Sequence, residues 1–502
     1  MKRIIVIGAG ASGLGAAFKI RRAAQAGHDV DVVVLERESV VGGKLRTDVI
    51  TDDEGRRFVV DGGSDAFLTS KPAVARVAKL AGIFDDITPS CDENKKTLIV
   101  KNGRLIEMPD GIMMFAPTKL IPLATTSLYS WAAKFRMALD LVRPRKVRWA
   151  EGETAQDHDE TLESFVVRRM GREALDRLAE PLVGGVHASD PREMSLAATF
   201  PNLLEMEQKF GSLILGFLDQ RKMVEAMRKK YPPKPGAKPR TFFSSFKSGM
   251  SQLTETMADT VGRERIRTGV TVTGIGRTDG GYSVSLEGGE VITGDAVIVA
   301  TEAWAASELL TPLEPVIGEL IGAIPCSTSA TVPMAFRAED CPFDTKWFGI
   351  LCPLVEKKSV LAVTLSSSKW PERAPEGTVL LRGFVGGPVN QAVMEKSDEE
   401  LAEIVRTQIA EMLGMKPDVQ PIFTRVYRWT GGMPQYTIGH LDRIDALEAA
   451  VAATSGLAVA GGGYRGVGIP NCIESGERAV SKVLGEWGIA LDEDSQPEQR
   501  IY

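Results

Sequence analysis

Ile4-Ile5-Val6-Ile7-Gly8-Ala9-Gly10-Ala11-Ser12-Gly13 decides the fold of this 502-residue chain. A short β-branched run meets three glycines at the G-x-G-x-x-G spacing, and Leu14 to Ala24 continues at helical period. That order brings a backbone turn against a diphosphate at a helix N-terminus, where N–H groups and the helix dipole favour negative charge. The next apolar run, Val30 to Leu35, ends at Glu36, 23 residues past Gly13. Its carboxylate is placed to accept from a ribose 2′-hydroxyl, with Arg37 at the rim. Near the other end, Leu457-Ala458-Val459-Ala460 runs into Gly461-Gly462-Gly463-Tyr464-Arg465-Gly466-Val467-Gly468-Ile469. The two glycine-rich turns together predict one large cofactor gripped by both ends of the chain.

The residues beyond Glu36 separate nicotinamide from flavin. Gly42-Gly43-Lys44-Leu45-Arg46-Thr47 and Val59-Val60-Asp61-Gly62-Gly63-Ser64 place further glycine pairs, with Lys and Arg beside the first. This arrangement resembles the flavoenzyme superfamily of amine oxidases and carotenoid desaturases, which favours FAD over NAD.

Composition bounds the rest. The length exceeds one core, so two or more domains are expected, and 43% hydrophobic residues can fill them. A formal charge of −6 argues against nucleic acid as the main partner. Cys91, Cys326, Cys341, Cys352 and Cys472 are scattered without a C-x-x-C, which points to a reducing compartment and no thiolate metal site. Lys2-Arg3 before Ile4 to Phe18 imitates a signal peptide, but the glycine spacing explains that stretch better. Neither Leu120 to Ala133 nor Ala449 to Gly463 offers the roughly 20 apolar residues of a spanning helix.

The predicted fold class is α/β, a Rossmann-like FAD-binding domain with inserted helical and mixed α+β substrate-binding domains. Its cofactor part arrives in instalments, at residues 1–75, 241–302 and 429–490. Residues 76–230 read as a helical insertion facing substrate or membrane, with helices over Ser127 to Val142, Leu162 to Glu180 and Leu213 to Lys230. Tyr231 to Arg240 is a proline-rich loop. Residues 303–428 read as a substrate-binding α+β part, with strands over Ala330 to Phe336, Ser359 to Leu365 and Thr378 to Val385 and a helix over Asp398 to Leu413, and 491–502 as a polar tail.

Further motifs narrow the family. Glu180-Pro181-Leu182-Val183-Gly184-Gly185-Val186-His187-Ala188-Ser189-Asp190-Pro191, Phe246-Lys247-Ser248-Gly249-Met250, Met433-Pro434-Gln435-Tyr436 with Gly439-His440, and Tyr464 through Gly476 resemble the protoporphyrinogen/coproporphyrinogen oxidase family. The resemblance runs from about residue 3 to 487. It implies FAD contacts at Gly8, Ala9, Gly10, Ala11, Ser12 and Gly13 for the diphosphate and at Glu36 and Arg37 for the ribose. Lys44, Gly62, Gly63, Ser64 and Asp65 are then expected near phosphates and isoalloxazine, the Val272 backbone at adenine, and Trp429, Gly462, Val467, Gly468 and Ile469 at the flavin. The reaction implied is a six-electron oxidation of protoporphyrinogen IX or coproporphyrinogen III, with hydride passing to flavin N5 and dioxygen reduced to hydrogen peroxide. No catalytic side chain is assigned, and His28, His158, His187 and His440 form no metal or triad spacing. His187, beside the glycine motif, is the histidine to watch.

Lys134, Arg136, Arg143, Arg145, Lys146 and Arg148 against a lone Asp140 suit propionates, anionic lipid headgroups or simply a solvated face. Ile112 to Pro117 suits a substrate chamber, a membrane surface or a core. Two departures stand out: Ser189 replaces the second glycine of the Gly-x-x-Ala-Gly-Asp pattern, and Lys95-Lys96-Thr97 stands where an arginine pairs with a propionate in eukaryotic-type members. The resemblance implies a cytoplasmic enzyme, peripheral on the inner membrane face, and allows a homodimer and porphyrin hand-off to a ferrochelatase. An amine oxidase or desaturase, with Trp429, Tyr436 and Tyr464 as an aromatic cage, and a non-catalytic flavin-binding protein are the alternatives.

Overall fold

The computed structural model describes residues 1–231 and 241–491, without the side chains of Val186, His187 and Arg228. Most of the expected proline-rich loop (232–240) and of the polar tail (492–502) lies outside the described residues, as does the His187 side chain.

Two sheets organise these residues. The first is a five-stranded parallel sheet in the spatial order Ile266–Arg267, Val30–Leu35, Lys2–Ile7, Ala296–Val299, Leu457–Val459. Its central strands are unbroken apolar runs because both faces are covered. Ile4, Val6, Ala296 and Ile298 face the first helix (Ala11–Gln25) and the last helix (Ile469–Glu486), whereas Ile5, Ile7, Val297 and Val299 face a second apolar layer. In the last helix the buried positions Ile469, Ile473, Gly476, Val480 and Val483 recur every three or four residues, the stripe a helix needs to lie on a sheet. The second layer includes Ala303–Leu310, Pro315–Gly322 and His440–Ala452. Residues 303–322 therefore pack on the cofactor sheet, not with the substrate part expected from 303.

The eight-stranded sheet runs Phe423–Thr424, Cys326–Arg337, Thr378–Gly386, Val360–Leu365, Gly349–Leu351, Thr97–Lys101, Arg104–Glu107, and Tyr427–Pro434 also pairs with Cys326–Arg337. Asp398–Leu413 covers it, opened by a capping box between Ser397 and Glu400. Two expected boundaries move as a result. Residues 97–107, inside the expected helical insertion, are strands of this sheet, and 429–434 belong to it rather than to the cofactor part.

The helical insertion has its own core and a polar centre. Ser127 to Val142 becomes the shorter helix Trp131–Ala138, because Ser130 caps it by accepting from Ala133 N. Leu162 to Glu180 breaks at Gly171, which has φ +99° and no room for a Cβ against the Arg136 side chain. Arg136 donates there to the carbonyls of Val167, Arg168 and Arg169. The fully buried Arg169 donates from Nε to Asp140 (2.6 Å) and from Nη1 to Glu207 (3.2 Å). Most of the basic run is thus engaged in contacts within the chain, although Arg143, Lys146 and Arg148 remain exposed. Lys134 donates to the carbonyls of Ala124 and Thr126, Arg143 to that of Arg168, Arg145 to Gln208, and Lys146 pairs with Glu160. Among the described residues no helix is long and apolar enough to cross a membrane.

Candidate functional site

The first glycine turn is built partly by the chain and partly left open. A Cβ on Gly13 would overlap the Gly8 carbonyl oxygen, so the turn closes on itself only with glycine there. Gly10 differs: φ −73° and ψ −174° suit any residue, and nothing lies within 4 Å of its missing Cβ. The protein itself does not need glycine at 10, and the open face there leaves room for a ligand to approach the backbone, as expected of the diphosphate turn. Behind it the first helix starts without a side-chain cap, leaving its leading N–H groups without intrahelical acceptors. This is a cradle for a diphosphate, and the donor set fits the FAD expected from Gly8 to Gly13.

Glu36 sits at the end of the second strand. Its carboxylate accepts from Ala9 N (2.6 Å) and Glu38 N (2.9 Å), which holds it beside the turn. Val270 N donates to the Glu36 carbonyl (2.9 Å), so the backbone leading to Val272 runs next to the acid, where adenosine recognition was expected. Arg37 stays at the rim, exposed and paired with Glu38.

The last helix supplies a second open N-terminus at Gly468 and Ile469, again without a side-chain cap. It is held close to the first by backbone contact: a Cβ on Gly476 would overlap the Ser12 carbonyl oxygen, and one on Gly15 would meet the Ile473 backbone. Between the turns, Gly63 packs so closely that a Cβ would overlap the Lys44 carbonyl and sit 3.2 Å from Trp429. Trp429 Nε1 and Thr331 Oγ1 both donate to the Gly62 carbonyl. Lys44 pairs with Glu302 (2.8 Å). Ser64 continues this segment, but the Asp65 carboxylate turns away to Lys369, Arg382 and Trp370 Nε1. Burial alone would raise its pKa, yet the Arg382 and Lys369 charges hold it well below the carboxylate range.

Beside this cleft lies a cavity of about 220 Å³. Ser189, Asp190, Cys326, Ser327, Gln435 and Tyr436 are among its walls, which joins two motifs far apart in sequence. Gln435 Nε2 donates to the Ala188 carbonyl (3.1 Å) and Ser327 Oγ (3.1 Å). Tyr436 OH donates to the Gly462 carbonyl (2.6 Å) and accepts from Gly466 N (2.7 Å), tying the cavity wall to the second glycine turn. Burial pushes this phenol up, and its two hydrogen bonds brace the turn. Its ring stacks on His440 (4.0 Å between centroids), whose Nε2 bonds the Tyr464 carbonyl. Burial lowers this imidazole to about 4, so His440 is neutral at pH 7. Tyr464 is buried at 6% exposure and does not line the cavity, so the aromatic cage considered for an amine is not assembled there.

The departure at Ser189 carries no backbone penalty. The left-handed residue is Ala188 (φ +44°), which ends the helix Glu180–His187, and Ser189 has no positive φ. Cys326, Ser327, Pro388 and Gln391 were not expected at the site. They come from other strands and turns of the eight-stranded sheet region and carry no motif of their own.

Comparison with known proteins matches residues 11–484 to the family model described as flavin containing amine oxidoreductase. The chain is 31% identical to the coproporphyrinogen III oxidase of Bacillus subtilis (strain 168), over 96% of this chain and 98% of that one. It is 29% identical to protoporphyrinogen oxidase 1, chloroplastic, of Spinacia oleracea, over 96% and 84% respectively. A crystal structure assigned to a protoporphyrinogen oxidase of Exiguobacterium sp. 255-15 superposes with a TM-score of 0.82 at 27% identity, covering 97% of this chain and 99% of that one.

Because the chain does not require glycine at 10, Gly10→Val is expected to keep the melting temperature of the cofactor-free protein and, if the turn holds the diphosphate, to weaken FAD binding at least about tenfold, read by flavin absorbance after gel filtration. Glu180, at the start of the motif helix, accepts from Leu354 N, and burial together with Asp176 and Asp190 raises its carboxyl from 4.5 to about 7. A raised folded-state value means stability present below pH 4.5 and lost as pH rises through about 7. Glu180→Gln therefore melts about 2 °C or more above the parent at pH 8, with a much smaller gain at pH 5.

Proposed function

The chain belongs to the flavin-containing amine oxidoreductase family and, within it, to the coproporphyrinogen and protoporphyrinogen oxidases, and on that premise we propose that it oxidises coproporphyrinogen III to coproporphyrin III in haem biosynthesis. It is an FAD-dependent oxidoreductase. The observation that carries the substrate reading is the cavity joining the Ser189-Asp190 and Gln435-Tyr436 motifs to the second glycine turn through the Tyr436 hydroxyl. The identity to the Bacillus subtilis enzyme supports coproporphyrinogen III, with protoporphyrinogen IX the other candidate.

When bound, FAD supplies the two-electron acceptor used three times per macrocycle, with dioxygen as final acceptor and hydrogen peroxide as product. The chain's own residues bind and orient. Gly10 and the first helix hold the diphosphate, Glu36 the ribose, and the last helix's N-terminus favours negative charge at the other end of the cofactor. Trp429 and Thr331 fix the Gly62 carbonyl and so the position of the adjoining backbone. Among the described residues the cavity wall includes Glu193 and Asp190, the latter paired with Arg192, and no lysine or arginine. It suits the uncharged rim of the macrocycle, with the propionates turned away from these carboxylates towards the mouth.

We read the site as cytoplasmic and resting on an anionic membrane. Trp131, Phe135, Leu139 and Val142 form an exposed apolar stripe, with Leu120 and Ile121 nearby in sequence and also exposed, and Arg148 stands exposed beyond its end.

The FAD-loaded protein is expected to form porphyrin aerobically from coproporphyrinogen III at least about tenfold more efficiently than from protoporphyrinogen IX, a difference of about 1.4 kcal/mol in transition-state stabilisation. Equal rates with both would overturn the substrate preference, and no enhancement with either the whole reading. In vesicle sedimentation, Trp131→Ser with Phe135→Ser lowers binding to phosphatidylglycerol vesicles about tenfold and leaves turnover in detergent unchanged. Equal sedimentation of parent and variant would remove the membrane reading.

A further inference from the structure

A buried cluster of charge surrounds the segment Asp61-Gly62-Gly63-Ser64-Asp65. Lys369, Arg373 and Arg382 face Asp61 and Asp65, and none of the five side chains is more than 13% exposed. Arg373 Nη2 meets Asp61 (3.0 Å), Ser245 Oγ (2.9 Å) and the Phe246 carbonyl (3.1 Å). Arg382 reaches Asp65 (3.1 Å) and donates to the carbonyls of Asp61 (3.0 Å) and Gly63 (2.7 Å). Lys369 sits 3.1 Å from Asp65. Three cations against two carboxylates leave one positive charge over.

Two donors in this cluster are unspent. Arg373 Nη1 and Arg382 Nε are buried and have no hydrogen-bond partner, in side chains 2% and 5% exposed. Both arginines line a small cavity together with Asp61, Asp65, Ser366 and Trp370. A guanidinium cannot shed its proton to relieve the surplus. Burial and Arg382 push the Lys369 ammonium down, and Asp65 opposes them across a short ion pair. An uncompensated buried charge is costly, so a counter-charge is called for. The cavity offers about 10 Å³ of room for the centre of a water-sized sphere, which is space for a single small particle and not for phosphate, sulfate or a carboxylate.

We propose that this cavity binds one small monovalent anion, chloride in salt solution, between Arg373 Nη1 and Arg382 Nε. The anion neutralises the surplus and fixes the guanidinium of Arg382. Because Arg382 also holds the carbonyls of Asp61 and Gly63, the site braces the backbone that the FAD reading places at the cofactor.

The test uses the holoenzyme and reads the anion itself, so its failure is distinct from a failure of porphyrinogen turnover. Crystals grown in sodium bromide are expected to show an anomalous peak between the two arginines. In solution, melting in sodium chloride rises saturably by about 2 °C or more over sodium gluconate at equal ionic strength. Ser366→Leu, which fills the cavity wall, removes both effects. An ordered water with no bromide peak overturns the proposal. So does a peak with no chloride-specific melting shift, which marks binding at crystal concentration only.

Discussion

The close crossing of the first and last helices is the constraint on which the site depends. Gly15 meets the Ile473 backbone, and Gly476 rests on the Ser12 carbonyl oxygen, so two helices from opposite ends of the chain touch backbone to backbone. Only side chains without a Cβ allow this approach. Its result is two uncapped helix N-termini brought to one cleft, each offering N–H donors and the positive end of a helix dipole. Ser475 Oγ, accepting from Gly461 N, carries the same contact into the second glycine turn.

The second sheet is coupled to that cleft through polar ties beside an apolar seam of Phe58 and Val60 against Ala335, Leu380 and Tyr427. Arg382, on the strand Thr378–Gly386, holds the carbonyls of Asp61 and Gly63. Thr331 and Trp429, on neighbouring strands, hold that of Gly62. Tyr436, just past the strand Tyr427–Pro434, reaches the Gly462 carbonyl and Gly466 N. Each tie fixes main chain and leaves side-chain volume for the cavity, which is why glycines recur on the cofactor side of these contacts. Two hydroxyls, an indole and a guanidinium thus bridge the substrate wall and the cofactor cleft.

The parts legible in the sequence are those whose physics is local. Ile4 to Ile7, the glycine spacing and Glu36 specify a strand, a turn and an acid within one βαβ unit, and the structure brings them together. The helix Asp398–Leu413 is equally local, set by its capping box. Non-local pairing was not legible. Thr97–Lys101 lies parallel to Gly349–Leu351, some 250 residues away, and an apolar pattern does not name its partner. The basic run Lys134 to Arg148 suited carboxylates, lipid headgroups or a solvated face because composition counts charges, whereas Arg136 and Lys134 spend theirs on helix-end carbonyls. The resemblance puts Asp65 near the cofactor, and a pattern of residues does not show that its carboxylate is paired with Lys369 and Arg382.

The fifth strand of the cofactor sheet, Leu457–Val459, and the helix after it come from the final tenth of the chain. During synthesis the open edge at Ala296–Val299 therefore waits while residues 300–456 are made, and the glycine face of the first helix stays bare until the last helix arrives. Contacts of such sequence separation form late. The nascent protein presents one half of the cofactor cleft until Ile469–Glu486 has been made, so the cofactor meets its complete cradle only after both halves exist.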